Sequence, residues 1–293
     1  IYEPFIRKAA GFGSASTKHD KERYEHKYEY CDLLVTGSGP SGLASAYSAA
    51  KNGAKVILAE DKPRFGGSLL TSEANIGNQS GKEWAEKIIS ELQEMPNVTV
   101  KNRSQVFGYY DHNMLVMSER ISDHLPETKK FTPKQRLWYI RAKEVAISSG
   151  SIERPIVFGN NDTPGVVLSS AAKEYLKVYG VLVGKKPLIF TNNDSAYETA
   201  IEFKKNGISP VVLDSRSNPE SEIISEALSM DIDIRFSHVV VAAKGYKKVK
   251  KAEITKISED KNELGKIENI NCDCICVSGF WTPTNTFVFT IRK

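Results

Sequence analysis

The sequence predicts an α/β fold of two Rossmann-like dinucleotide-binding units, the second inserted into the first, and three observations carry that prediction. Residues 31–36 read as a buried strand that runs straight into Gly37-Ser38-Gly39-Pro40-Ser41-Gly42. Leu43, Ala46, Tyr47 and Ala50 then recur at helical spacing, and residues 55–59 form a second apolar strand ending at Glu60-Asp61. A further strand, helix and strand follow in the second half, at residues 187–190, 196–203 and 210–213.

Residues 1–30 are polar and charged and read as an N-terminal extension, with a short helix at 2–10 and then a linker. Asn52-Gly53 stops the first helix, and the helical crossover makes the two flanking strands parallel. Residues 62–70 form a loop containing Phe65-Gly66-Gly67-Ser68. Trp84, Ile88, Leu92 and Met95 mark one face of a helix over 81–95. Residues 98–100, 105–118 and 137–147 read as strands, with a polar excursion over 118–134. Ser149-Gly150 breaks the pattern, and 151–168 is a loop-rich crossing around Asp162-Thr163-Pro164-Gly165, whose polar residues turn chemistry, or else a site at a domain boundary, would explain. Ala172, Tyr175, Leu176 and Tyr179 suggest a helix, as do Ile223, Ile224, Ala227 and Leu228. Strands follow at 232–236, 238–242, 253–258 and 272–277, the last running into Ser278-Gly279. The first dinucleotide-binding domain is therefore assigned to 31–150 plus 270–293, and the connecting segment with the second unit to 151–269.

Composition narrows the function classes. A chain of 293 residues accommodates one large or two medium domains. The net charge of +4 comes from interspersed acids and bases, so no nucleic-acid partner is expected. The five lysines between 244 and 251 read as a solvated strand edge. Cys272, Cys274 and Cys276 alternate, which in a strand places all three on one face, and the spacing differs from that of zinc or iron–sulfur ligands. No leader or membrane span is read, so a cytoplasmic location is the default expectation. The start at Ile1 rather than Met is what a fragment would show, which weakens that reading.

The glycine motif has a mechanical meaning. The first glycine permits the tight turn, the second lets backbone approach a pyrophosphate, and the third lets the helix pack on its strand. The helix N-terminus then offers free N–H groups and the positive end of its dipole to the phosphates. Glu60, at the end of the second strand, is placed to accept hydrogen bonds from ribose hydroxyls. An acid there disfavours a 2′-phosphate, leaving NAD or FAD. In the second unit the corresponding turn reads Thr191-Asn192-Asn193-Asp194-Ser195-Ala196, and Asp194 puts negative charge where a phosphate would approach. The five histidines are scattered without a catalytic partner, and no metal constellation or nucleophile elbow is present, so no catalytic residue is assigned. A self-contained flavin disulfide reductase would need a redox cysteine pair that the chain lacks. A non-catalytic interaction module with purely structural Rossmann units is the other alternative.

Several stretches go further. Residues 2–13 (Tyr-Glu-Pro-Phe-Ile-Arg-Lys-Ala-Ala-Gly-Phe-Gly), 65–70, 153–158, 160–165 and 191–197 resemble the alpha subunits of heterotetrameric sarcosine oxidases, within the flavoproteins that carry two dinucleotide-binding domains. The resemblance spans roughly residues 1–284. It implies a subunit of an enzyme that oxidises sarcosine to glycine with oxygen, acting with beta, gamma and delta partner subunits. It implies NAD in the first dinucleotide site, FMN at the boundary with the beta subunit, and amine oxidation at an FAD on that partner. Site residues expected on motif and resemblance together are Gly37, Ser38, Gly39, Pro40, Ser41, Gly42, Glu60, Asp61, Gly66, Gly67, Ser68, Gly150 and Gly279. The chain also departs from the family. A ferredoxin-like N-terminal region and a folate-binding domain are missing, and Phe280 puts a large side chain where the family has a glycine that would approach the nucleotide. After Thr284 the sequence ceases to resemble it, as expected of a truncated or frame-shifted product that is inactive alone.

Overall fold

In the computed structural model, residues 2–13, 17–129, 131–258 and 264–284 are described. The tail that departs from the family, 285–293, lies outside them.

The first unit grows from the strand that feeds the glycine turn. After a short exposed helix α1 (Glu3–Ala9), strand β1 covers Tyr24–Thr36, starting well inside the segment expected to be extension. Alternating Tyr24, His26, Tyr28 and Tyr30 give this stretch strand character, and it pairs in parallel with β8 (Gln135–Ile147) from Tyr24↔Gln135 to Thr36↔Ile147. Helix α2 (Pro40–Lys51) crosses to β2 (Val56–Ala59), parallel to β1 as expected. A hairpin of β3 (Asn75–Ile76) and β4 (Gln79–Ser80) leads into α3 (Gly81–Glu94). Ser80 starts α3 with a reciprocal cap: its hydroxyl accepts from the Glu83 amide, and the Glu83 carboxylate accepts from the Ser80 amide. Strand β5 (Val98–Lys101) lies on the far side of β2. The single strand expected over 105–118 is two antiparallel strands, β6 (Ser104–Tyr110) and β7 (Met114–Arg120). The break falls at His112 and Asn113, both in the left-handed region. The sheet order is β5-β2-β1-β8-β7-β6. One face is covered by α2 and α3 through Leu43, Ala46, Ile88 and Leu92, while Cys31, Leu34, Leu115 and Ile140 form a second core.

The second unit follows β9 (Ser151–Arg154). It comprises β10 (Val166–Leu168), α4 (Ser169–Tyr179), β11 (Pro187–Thr191), α5 (Ser195–Lys205), β12 (Val211–Asp214), α6 (Glu222–Ser229) and β13 (Asp233–Phe236). Strands β14 (His238–Lys244), β15 (Lys251–Lys256) and β16 (Glu268–Asn271) make an antiparallel sheet, and the lysine-rich run forms the turn between β14 and β15. Strands β17 (Cys274–Ser278) and β18 (Phe280–Pro283) complete the described chain. Helices α4, α5 and α6 pack one face of the second sheet, and β14 and β15 pack the other.

Two expectations are corrected here. Strand β17, assigned with 270–293 to the first unit, lies between β10 and β11 in the second sheet. Its apolar run Cys274–Ser278 is buried on both faces, as a central parallel strand must be. The three alternating cysteines do not share a face either. Cys274 and Cys276 face the helical core, whereas Cys272 precedes the strand and packs in the other core. The bend at Asp273, whose carboxylate accepts from the Lys185 and Lys186 amides, breaks the alternation.

Candidate dinucleotide site

The glycine turn has the geometry its residues allow. Gly37 has φ +95°, and a Cβ there would lie 2.4 Å from the Ser148 carbonyl oxygen. A Cβ on Gly42 would lie 1.9 Å from the Gly37 oxygen, so the third glycine is what lets α2 close onto the turn. Gly39 differs: a Cβ there would meet nothing within 4 Å. The middle glycine therefore faces open space, while its neighbours are pinned by backbone. Pro40 occupies the first position of α2, Gly39 is its N-cap, and no side chain caps the helix. The first-turn amides of Ser41 and Gly42 thus start the helix without a side-chain acceptor, and Pro40 and Ser41 are exposed.

The Phe65-Gly66-Gly67 loop packs against this turn. Gly66 has φ +118° and Gly67 φ +54°, and a Cβ on Gly67 would lie 2.8 Å from Gly39 Cα. The Gly66 amide donates to the Ser38 carbonyl at 3.1 Å and to Ser38 Oγ at 3.2 Å. Ser68 follows on the exposed side of the short turn Gly67–Leu70.

Glu60 and Asp61 divide in a way sequence spacing did not show. Glu60 is 5% exposed. Its Oε2 accepts from the Ser38 amide at 2.8 Å and from Ser38 Oγ at 2.5 Å, and its Oε1 accepts from the Lys62 amide at 3.0 Å. Burial raises its carboxyl above the ordinary range, and the neighbouring Asp61 carboxyl adds to the rise. Asp61 itself is exposed. One residue on, the Lys62 ammonium is held by Glu174 of α4 at 2.8 and 3.0 Å. Arg64 donates to the Val178 carbonyl at 3.3 Å, and Lys177 contacts both Glu73 and Glu202. Helix α4 therefore braces the loop that follows the strand-end acids. Beside it lies a cleft of about 270 Å³ lined by Ala171, Glu174, Tyr175 and Tyr179.

Gly150 and Gly279 part company. The strand end at Ser148 abuts Gly37, and Gly150, with φ +69° and open space around it, follows close to this turn. Its carbonyl accepts from the Thr284 amide at 2.9 Å. Gly279 belongs instead to the turn of the second unit. Asn193 Nδ2 donates to the Ser278 carbonyl, Ser278 Oγ and the Gly279 carbonyl at 3.1–3.2 Å. Phe280, where bulk was expected to crowd the nucleotide, is exposed, and the next residue, Trp281, donates to Ser195 Oγ at 3.0 Å.

That second turn is filled by its own side chains. Asn193 Oδ1 accepts from the Ser195 amide and hydroxyl at the start of α5. Asp194 is the N-cap of α5 and pairs with Arg216 at 2.7 Å. Arg216 also grips Asp214 through Nε and Nη2, and Asp214, fully buried at the end of β12, accepts from the Tyr197 hydroxyl at 2.8 Å. The acid and the helix terminus that would meet a nucleotide are both occupied from within.

Comparison with known proteins agrees with this architecture. The family described as FAD dependent oxidoreductase matches residues 32–127, which contain the first turn, Glu60 and the glycine loop. Sarcosine oxidase subunit alpha of Rhizobium meliloti (strain 1021) is 38% identical over 290 residues, 97% of this chain. The chain is homologous to sarcosine oxidase subunit alpha. The subunit of that name from Corynebacterium sp. (strain P-1) is 33% identical over 277 residues, 93% of this chain. In both cases the chain spans only 28% of the relative's length. Among solved structures, thioredoxin reductase of T. acidophilum matches with a TM-score of 0.66 at 16% identity, covering 88% of this chain and 79% of that one. L-proline dehydrogenase of P. horikoshii matches at 0.64 and 20%, covering 92% and 46%. At such identities these structures speak to the fold alone. No helix among the described residues is long and apolar enough to cross a membrane.

Proposed function

We propose that this chain is the dinucleotide-binding part of a sarcosine oxidase-like flavin-dependent amine oxidoreductase. One observation carries the reading: of two strand-turn-helix units, the first leaves its uncapped helix N-terminus and Gly39 open, while the second is closed by Asn193, Asp194 and Arg216. An uncapped helix start with a glycine facing free space suits a pyrophosphate, since backbone N–H groups and the helix dipole both favour it. NAD is the occupant proposed. Gly37, Gly39, Gly42 and Gly67 shape the cradle, Ser41 and Gly42 supply amides, Pro40, Ser68 and Gly150 line its rim, and the adenosine ribose lies at the end of β2, where Glu60 and Asp61 follow the strand.

The resemblance supplies the rest of the proposal. Beta, gamma and delta partner subunits complete the enzyme, FMN lies at the boundary with one of them, sarcosine is oxidised on a partner, and the assembly is cytoplasmic. No residue of this chain touches the amine in this reading. FAD in the first site is the second reading, favoured by the family match over residues 32–127. Denaturing the purified chain and weighing the released nucleotide separates the two. NAD supports the first reading and FAD the second. A preparation that releases neither, and that neither nucleotide stabilises thermally, refutes both.

A further inference from the structure

We propose that selectivity for the nucleotide's 2′-hydroxyl is set by Asp61 together with Glu174 of helix α4, and that buried Glu60 is a positioning residue rather than the sugar's partner. The assignment rests on the NAD reading above. Glu60 is almost wholly enclosed, and its two oxygens already accept three hydrogen bonds from Ser38 and Lys62. Its Oε2 is fully used by two donors, and what remains on Oε1 is a single acceptor direction. A ribose diol needs an accessible carboxylate. The exposed acid at this strand end is Asp61, the very next residue.

A 2′-phosphate is accepted where a free cation stands near the strand-end acid. This chain has such a cation: Lys62 adjoins Asp61 in sequence. Its ammonium, however, is turned onto the Glu174 carboxylate, which approaches with both oxygens. Glu174 comes from a helix of the second unit, so the first site's selectivity is set partly from outside its own fold. Asp61 would repel a phosphate at the 2′ position, and Glu174 withholds the lysine that would attract one. Glu60 acts further back, fixing the Ser38 peptide and, through the Ser38 hydroxyl, the Gly66 amide.

Calorimetric titration with NAD and NADP tests this in the wild type and in Asp61→Ser, Glu174→Gln and Glu60→Gln. The expected wild type prefers NAD. Asp61→Ser and Glu174→Gln each lower the NAD-over-NADP preference by roughly tenfold, with near-unchanged melting temperature. Glu60→Gln lowers the melting temperature and weakens both nucleotides by the same factor, leaving their ratio intact. A ratio that shifts in Glu60→Gln while holding in the other two variants overturns the assignment. If Glu60→Gln fails to fold, unchanged ratios in the other two are sufficient to overturn it. A wild type that binds neither NAD nor NADP refutes the underlying NAD reading itself, and the assignment falls with it.

Discussion

The Ser38 hydroxyl donates to Glu60 Oε2 at 2.5 Å and accepts from the Gly66 amide at 3.2 Å, so one side chain ties together the glycine turn, the second strand end and the glycine loop. Removing it in Ser38→Ala leaves a buried carboxylate one donor short and the Gly66 amide without its hydroxyl acceptor. A loss of about 2 kcal/mol is expected, since a buried group at a broken hydrogen bond keeps its desolvation cost. Urea denaturation measures it, and a loss below a few tenths of a kcal/mol would contradict the clip.

The glycines of the turn separate folding from binding. Gly42→Ala forces a Cβ to within 1.9 Å of the Gly37 oxygen, so both stability and nucleotide binding should fall. Gly39→Ala meets nothing within 4 Å, and its backbone at φ −67° suits any residue. The melting temperature should hold while dinucleotide binding weakens at least about tenfold, because the methyl group stands where the pyrophosphate approaches. Paired calorimetric and thermal measurements distinguish the two variants.

Glu60 also predicts a pH signature. Burial first, and then the neighbouring Asp61, raise its folded-state carboxyl above the ordinary range. At acid pH the group is protonated both folded and unfolded. As pH rises, the unfolded chain loses its proton first, so stability falls across the window from the ordinary carboxylate value up to the raised one. The difference in unfolding free energy between wild type and Glu60→Gln should therefore be largest below this window and shrink through it. A pH-independent difference would count against a raised carboxyl.

The turn in the second unit should bind nothing. Calorimetry should give one nucleotide per chain. Arg216→Ala leaves the fully buried Asp214 facing Tyr197 without its cation, which should cost about 3 kcal/mol, as expected when one partner of a buried pair is removed. A second binding event in the wild type would contradict the closed turn.

All four cysteines are free and buried, and burial pushes the thiols of Cys31 and Cys272 up to about 12, with Cys274 and Asp273 adding to the effect at Cys272. At pH 8 the folded chain should react with a thiol reagent far more slowly than the same chain in denaturant, where four equivalents should label quickly.

Much of the first unit was legible because its signals are local: strand, glycine turn, helix, strand and acid follow one another from residue 31 to 61. The missed features depend on distant partners. Nothing near Cys274–Ser278 says that it pairs with Pro187–Thr191 rather than with the first sheet, since a central parallel strand looks alike in either. The strand character of Tyr24–Tyr30 was hidden by its charges, and its pairing partner lies more than a hundred residues on. The sequence placed an acid at the strand end correctly but could not show which of two adjacent acids is turned inward, because that depends on Ser38, 22 positions earlier. Gly279 looked like part of the first site by its motif, yet its place is fixed by Asn193. Conversely, the suspicion that Asp194 spoils the second turn could be formed from the residue alone, and Arg216 supplies its physical completion.

The most direct measurement is a crystal structure of the chain grown with NAD. The account predicts one molecule per chain, its pyrophosphate on the amides that open α2 and its adenosine ribose within hydrogen-bonding distance of Asp61. A nucleotide seated at Thr191–Ser195, or a first turn that stays empty at saturating NAD, would contradict it.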